Sequence, residues 1–146
     1  MEQKVPNDLS GVRAKVLQDT YNIIRVNSER WGQIVGDSSL SPRMSAPFLI
    51  FRTEQDFVLL LDDADVAGIV GRYADIEIER GMRLLEVRSP EGVRALGSFS
   101  RLCQLLADSG FDVRSISAWD ADFALIRQGD LGAVLKTLSP HIEELC

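Results

Sequence analysis

Residues 81–128 constrain the fold more than any other stretch of the chain. They open with G-M-R-L-L-E-V-R, where Leu84 to Val87 are apolar apart from one charge and stop at Ser89-Pro90, as a short strand does. Phe99, Leu102, Cys103 and Leu106 then recur at steps of three, one and three, the spacing of one helix face. Gly97-Ser98 stands at the start of that helix, and Gly110 at its end supplies a left-handed stop. Phe111–Trp119 and Phe123–Ile126 read as two strands joined by the turn formers Asp120, Ala121 and Asp122. Strand, helix, strand, tight turn, strand is half of a split βαβ sandwich, with a glycine at the helix mouth. Free backbone N–H groups at a helix N-terminus are a ready site for a carboxylate or phosphate.

Composition narrows the partners. With 16 basic and 22 acidic residues among 146, the net charge is −6, and the arginines are scattered singly. Affinity for a phosphate backbone comes from clustered Lys and Arg, so a nucleic-acid partner is not expected. Cys103 sits on the apolar helix face and Cys146 is the last residue, a poor disulfide framework, which predicts a reduced, cytoplasmic chain. No apolar run is long enough for a membrane helix, and M-E-Q-K-V-P-N-D lacks a signal-peptide core, so no membrane partner is expected.

Along the rest of the chain, residues 1–8 read as a mobile leader. Ser10–Gln18, with Val12, Val16 and Leu17, reads as a short amphipathic helix. Thr20–Val26 is a β-branched strand, and the Ser/Gly-rich residues 27–45 a long connection with one helical turn around Trp31 (a lid residue or a core anchor). Pro47–Thr53 and Phe57–Leu61 form a hairpin across Glu54-Gln55-Asp56. Asp62-Asp63 start a helix carrying Val66, Ile69 and Val70, and Asp75–Glu79 alternates as an edge strand. Gly129-Asp130 caps a last helix with Leu131, Val134, Leu135 and Leu138 on one face, ended by Pro140. The two halves share their element order, which predicts an internal duplication whose first copy has lost its first helix.

Three segments carry a resemblance to the ACT superfamily, small-molecule-binding regulatory modules: R-G-M-R-L-L-E-V (80–87), the helix-opening Gly97, and I-S-A-W-D-A-D-F-A-L-I (116–126). F-R-T-E-Q-D-F-V (51–58) is similar to a further stretch of that family. The resemblance implies an α+β, ferredoxin-like βαββαβ fold in two tandem units. Residues 1–19 are then a leader with the short helix, 20–79 a degenerate ACT-like unit, and 80–146 an ACT unit. The last unit lacks a final strand, so strand 75–79 or a second chain is expected to fill its edge.

What it implies for function is a non-catalytic sensor binding a small ligand, an amino acid, at the interface of the units. The α-carboxylate would sit on backbone N–H groups at Gly97, Ser98 and Phe99, and the amine near Asp120 or Asp122, with Trp119 as a wall. Thr53 and Glu54 would complete the site, by resemblance alone. Each has a plainer reading: a helix cap at Gly97, turn chemistry at Asp120 and Asp122, packing at Trp119, a solvated charge at Glu54. The alternative function is a ligand-free dimerisation or docking module. A homodimer and an unidentified regulated protein are the macromolecular partners this reading allows. No cofactor or metal is expected: His141 is the only histidine, and neither a P-loop nor a G-x-G-x-x-G is present.

Overall fold

The computed structural model describes residues 9–90, 96–118 and 120–146. The expected mobile leader, residues 1–8, and Trp119 lie outside them. The chain divides into two compact units. The first is Asp19–Gly81; the second joins the described residues up to Gln18 to Met82–Cys146.

Two long strands serve both units. β1 (Arg13–Asn27) gives its first part to the second unit and the rest to the first, and β4 (Glu77–Arg88) is divided the same way at Gly81. Strand β1 corrects one expectation: residues 13–18 extend a strand where a helix was predicted. Val12 and Val16 are four apart, a spacing that shares a face in either conformation. Ala14, midway between them and buried, decides for the two-residue period. Strand β4 corrects a second: the expected strands at Asp75–Glu79 and Leu84–Val87 are not separate but fall on one strand, which starts at Glu77. Gly81 has φ +81°, so the strand passes through a backbone state that an L side chain rarely adopts, and that glycine mimics a break in the sequence.

The first unit runs β1, α1 (Ser28–Val35), a 3-10 turn at Ser38–Leu40, β2 (Leu49–Arg52), β3 (Asp56–Asp62), α2 (Asp63–Arg72) and β4. Its strand order is β2-β3-β1-β4, the ferredoxin-like arrangement. Helix α1 replaces the expected long connection and lost helix. Asn27 caps it by accepting the Arg30 N–H at 2.8 Å, and Glu29 complements its N-terminal dipole. Trp31 is an anchor: its ring stacks on Phe57 with centroids 4.9 Å apart, against the core formed by Ile24, Leu59, Leu61, Val66 and Ile69. The predicted hairpin and second helix are present. Asp62, buried, caps α2 through the Asp65 N–H and also receives the Arg43 guanidinium.

The second unit continues β4 through α3 (Leu96–Asp108), β5 (Val113–Ser117), β6 (Asp122–Arg127) and α4 (Leu131–Leu138) to a short β7 (Glu144–Leu145). Gly110 closes α3 at φ +90°, as expected. Asp130 stands at the α4 cap without a side-chain bond to the helix, and a 3-10 turn at Gln128–Asp130 makes the entry instead. The strand order β7-β1-β4-β6-β5 answers the missing-strand question. Neither strand 75–79 nor a second chain fills that place; the first part of β1 does, with the Arg83 guanidinium held on the Leu17 carbonyl at 2.9 Å. The core under this sheet is built from Val12, Leu85, Leu102, Leu106, Ile126 and Leu138.

Candidate functional site

The mouth of α3 is built by its place in a β-α-β unit. β4 pairs antiparallel with β6, and β6 antiparallel with β5, so β4 and β5 run parallel and α3 is their crossover. The helix therefore starts at the end of the sheet where β4 finishes and β6 begins. Val87 of β4, Asp122 of β6 and Ser117 of β5 face one another in register there.

Gly97 lies in the first turn of α3 and is half-buried. A Cβ placed on it would meet nothing within 4 Å among the described residues. Close packing against a strand therefore does not account for a glycine here. Ser98 beside it is buried, and Phe99 is a core residue of the second unit.

The two aspartates of the D-x-D turn separate in character. Asp122 is only 4% exposed, whereas Asp120 points to solvent. Arg88, at the end of β4, donates to the Asp120 carbonyl at 3.2 Å and pairs with Glu86 at 2.7 Å. Burial and the Asp122 carboxylate together push the Cys103 thiol up to about 11, so that side chain is a neutral wall and not a nucleophile at ordinary pH.

A cavity of about 320 Å³ opens between α3 and β5, lined by Phe99, Ser100, Cys103, Gln104, Ala107, Val113 and Ser115. Phe99 and Cys103 link it to the helix mouth and to Asp122. Ser115 lines it from β5.

The remaining expected residues lie elsewhere. Thr53 and Glu54 belong to the first unit, and Thr53 is spent on its own hairpin: its hydroxyl accepts the Asp56 N–H at 2.9 Å and its N–H donates to the Asp56 carbonyl at 2.8 Å. Glu54 is exposed at the tip.

The sequence reading passed over Arg88, although an arginine closing a strand beside a glycine-opened helix is a visible signal. It also passed over a charged cleft of about 330 Å³ in the first unit. There Arg25 meets Glu77 at 2.9 Å, and Arg30 grips Asp75 through both carboxylate oxygens at 3.0 and 3.1 Å. Among the described residues no three His, Cys, Asp or Glu side chains gather as a metal site, and no helix is long and apolar enough to cross a membrane.

No protein-family model matches the chain, and no curated protein matches its sequence. Solved structures do. A structural-genomics protein from Agobacterium tumefaciens superposes with a TM-score of 0.71 at 17% identity, covering 92% of this chain and 93% of that one. The regulatory subunit of aspartate kinase from Thermus thermophilus, in ligand-free form, gives 0.64 at 8% identity, over 89% and 96%. Aspartokinase III of E. coli, in complex with aspartate and ADP, gives 0.58 at 16% identity, over 88% of this chain and 32% of the kinase. At such identities the likeness is one of architecture: the chain has the ferredoxin-like ACT fold seen in the regulatory domains of aspartate kinases.

Proposed function

We propose that the chain is a non-catalytic regulatory module that binds a small amino acid at the mouth of α3. The observation that carries this reading is the placement, at one end of the second unit's sheet, of a helix first-turn glycine whose Cβ position meets no described residue and of a buried carboxylate, Asp122. An α-carboxylate accepts from the backbone N–H groups near Gly97 and Ser98, where the helix dipole favours negative charge. The ammonium group donates to Asp122, a charge-assisted bond strengthened by the low-dielectric surroundings of a buried group. Asp120, exposed and beside Arg88, is the weaker candidate of the pair. The side chain of the ligand enters the α3–β5 cavity, whose volume falls within the range of small-molecule pockets. Similarity to kinase regulatory domains supports the regulatory part. Binding would bias a protein partner through unequal affinity for its two states.

The test is a thermal-shift screen of the purified chain against the common amino acids. A ligand at a hundred times its dissociation constant adds about 2.7 kcal/mol. One stabilising amino acid is expected, with its effect lost in Gly97→Val and in Asp122→Asn. A shift that survives both substitutions would refute the site.

A further inference from the structure

The two units carry cavities of nearly equal size with contrasting walls. The cleft of about 330 Å³ in the first unit is rich in charge: Arg25, Glu29, Arg30, Asp56, Asp75 and Glu77 all line it. The α3–β5 cavity of the second unit, about 320 Å³, has no carboxylate, ammonium, guanidinium or imidazole group among its lining residues. Phe99, Ala107 and Val113 give it apolar surface, and Ser100, Gln104 and Ser115 give it neutral polar groups. Its one titratable side chain, Cys103, stays in the uncharged thiol form, held there by burial and by the Asp122 carboxylate.

Given amino-acid binding at the α3 mouth, on which this assignment rests, we propose that the α3–β5 cavity selects a ligand with an uncharged side chain. The two charges common to all amino acids are answered at the mouth, the carboxylate by helix N–H groups and the ammonium by Asp122. Discrimination then falls to the side chain. A charged one entering this cavity sheds water without gaining a counterion. Asp108, on the same helix, accepts from the Gln104 amide at 2.7 Å and is not part of the wall. An acidic side chain is opposed further by Asp122, whose negative charge already raises the Cys103 thiol. A neutral side chain lays its carbon atoms against Phe99, Ala107 and Val113, and a hydroxyl or amide on it finds Ser100 or Ser115.

Ser115 is the position from which this preference can be changed. It is exposed on β5 and outside the second unit's core, so a charge placed there alters the cavity wall and not the packing.

Thermal-shift ranking of the common amino acids on the native chain, on Ser115→Asp and on Ser115→Lys tests this. On the native chain the strongest stabiliser is expected to carry an uncharged side chain, with its effect lost in Gly97→Val. Ser115→Asp puts a carboxylate in the wall and should improve lysine and arginine about fivefold relative to that ligand. Ser115→Lys should do the same for aspartate and glutamate. Circular dichroism of both variants should match the native chain. A charged amino acid as the strongest stabiliser of the native chain, its shift lost in Gly97→Val, would overturn the cavity assignment and leave the mouth standing. A ranking unmoved by both Ser115 variants would overturn it as well. No shift from any amino acid would refute the mouth reading itself, and the cavity assignment with it.

Discussion

The two units repeat one order of elements and give it different chemistry at equivalent places. Where the first helix of the first unit begins, Asn27 folds back onto the Arg30 N–H and closes the mouth. Where the first helix of the second unit begins, a Cβ on Gly97 would meet none of the described residues. At the outer edge the two also differ: β2 is L-I-F-R, apolar but for Arg52, and β5 is V-R-S-I-S, with two serines beside Arg114.

The comparison extends to the second helix of each unit, and here the largest effect is expected. Asp62 is buried, caps α2 and receives Arg43, whereas Asp130 makes no side-chain bond to α4. Chemical denaturation of Asp62→Ala should show a loss of about 2–3 kcal/mol, and of Asp130→Ala less than about 0.5 kcal/mol. Equal costs would mean that the two caps are not different in kind.

Tyr21 belongs to the first unit alone. Its ring is fully buried, and its hydroxyl has no hydrogen-bond partner among the described residues. Burial first, then the carboxylates of Asp19, Asp62 and Asp65, push its pKa from 10.0 up to about 12. The ionised form is the one disfavoured in the folded chain, so this stability is whole below pH 10 and is lost as pH rises through 12. A pH series of urea melts should lose about 2 kcal/mol across that window. Tyr21→Phe should remove that loss and cost nothing at neutral pH, since it deletes an unpaired buried hydroxyl. Substantial destabilisation by Tyr21→Phe would show that the hydroxyl is bonded after all.

A further, modest stability effect sharpens the contrast of helix mouths. Asn27→Ala should cost about 1 kcal/mol and leave amino-acid binding unchanged. Gly97→Val should cost no more than that and abolish binding, since its side chain occupies the opening.

How much of this was legible depended on whether local signals were unambiguous. The α3 face, the β2–β3 hairpin and the Gly110 stop were readable because periodicity and turn residues agreed. The start of β1 was not, because Val12 and Val16 fit either period and only tertiary packing at Ala14 chose. Helix α1 was hidden in a Ser/Gly-rich run, although Asn27 followed by Glu29 is a start signal. β4 was split by a glycine that the strand accommodates. At the site, Gly97 and the aspartate pair stood out by residue type. Which aspartate is buried depended on where β6 begins, and that is set by its register with β4 and β5.

The most direct measurement is a nuclear magnetic resonance titration of nitrogen-labelled protein with the amino acid that stabilises it. The account predicts saturable shifts at Gly97, Ser98, Phe99 and Asp122, with Asn27 and Thr53 unmoved. Shifts confined to the Arg25–Arg30–Asp75 cleft of the first unit, with the α3 mouth silent, would contradict it.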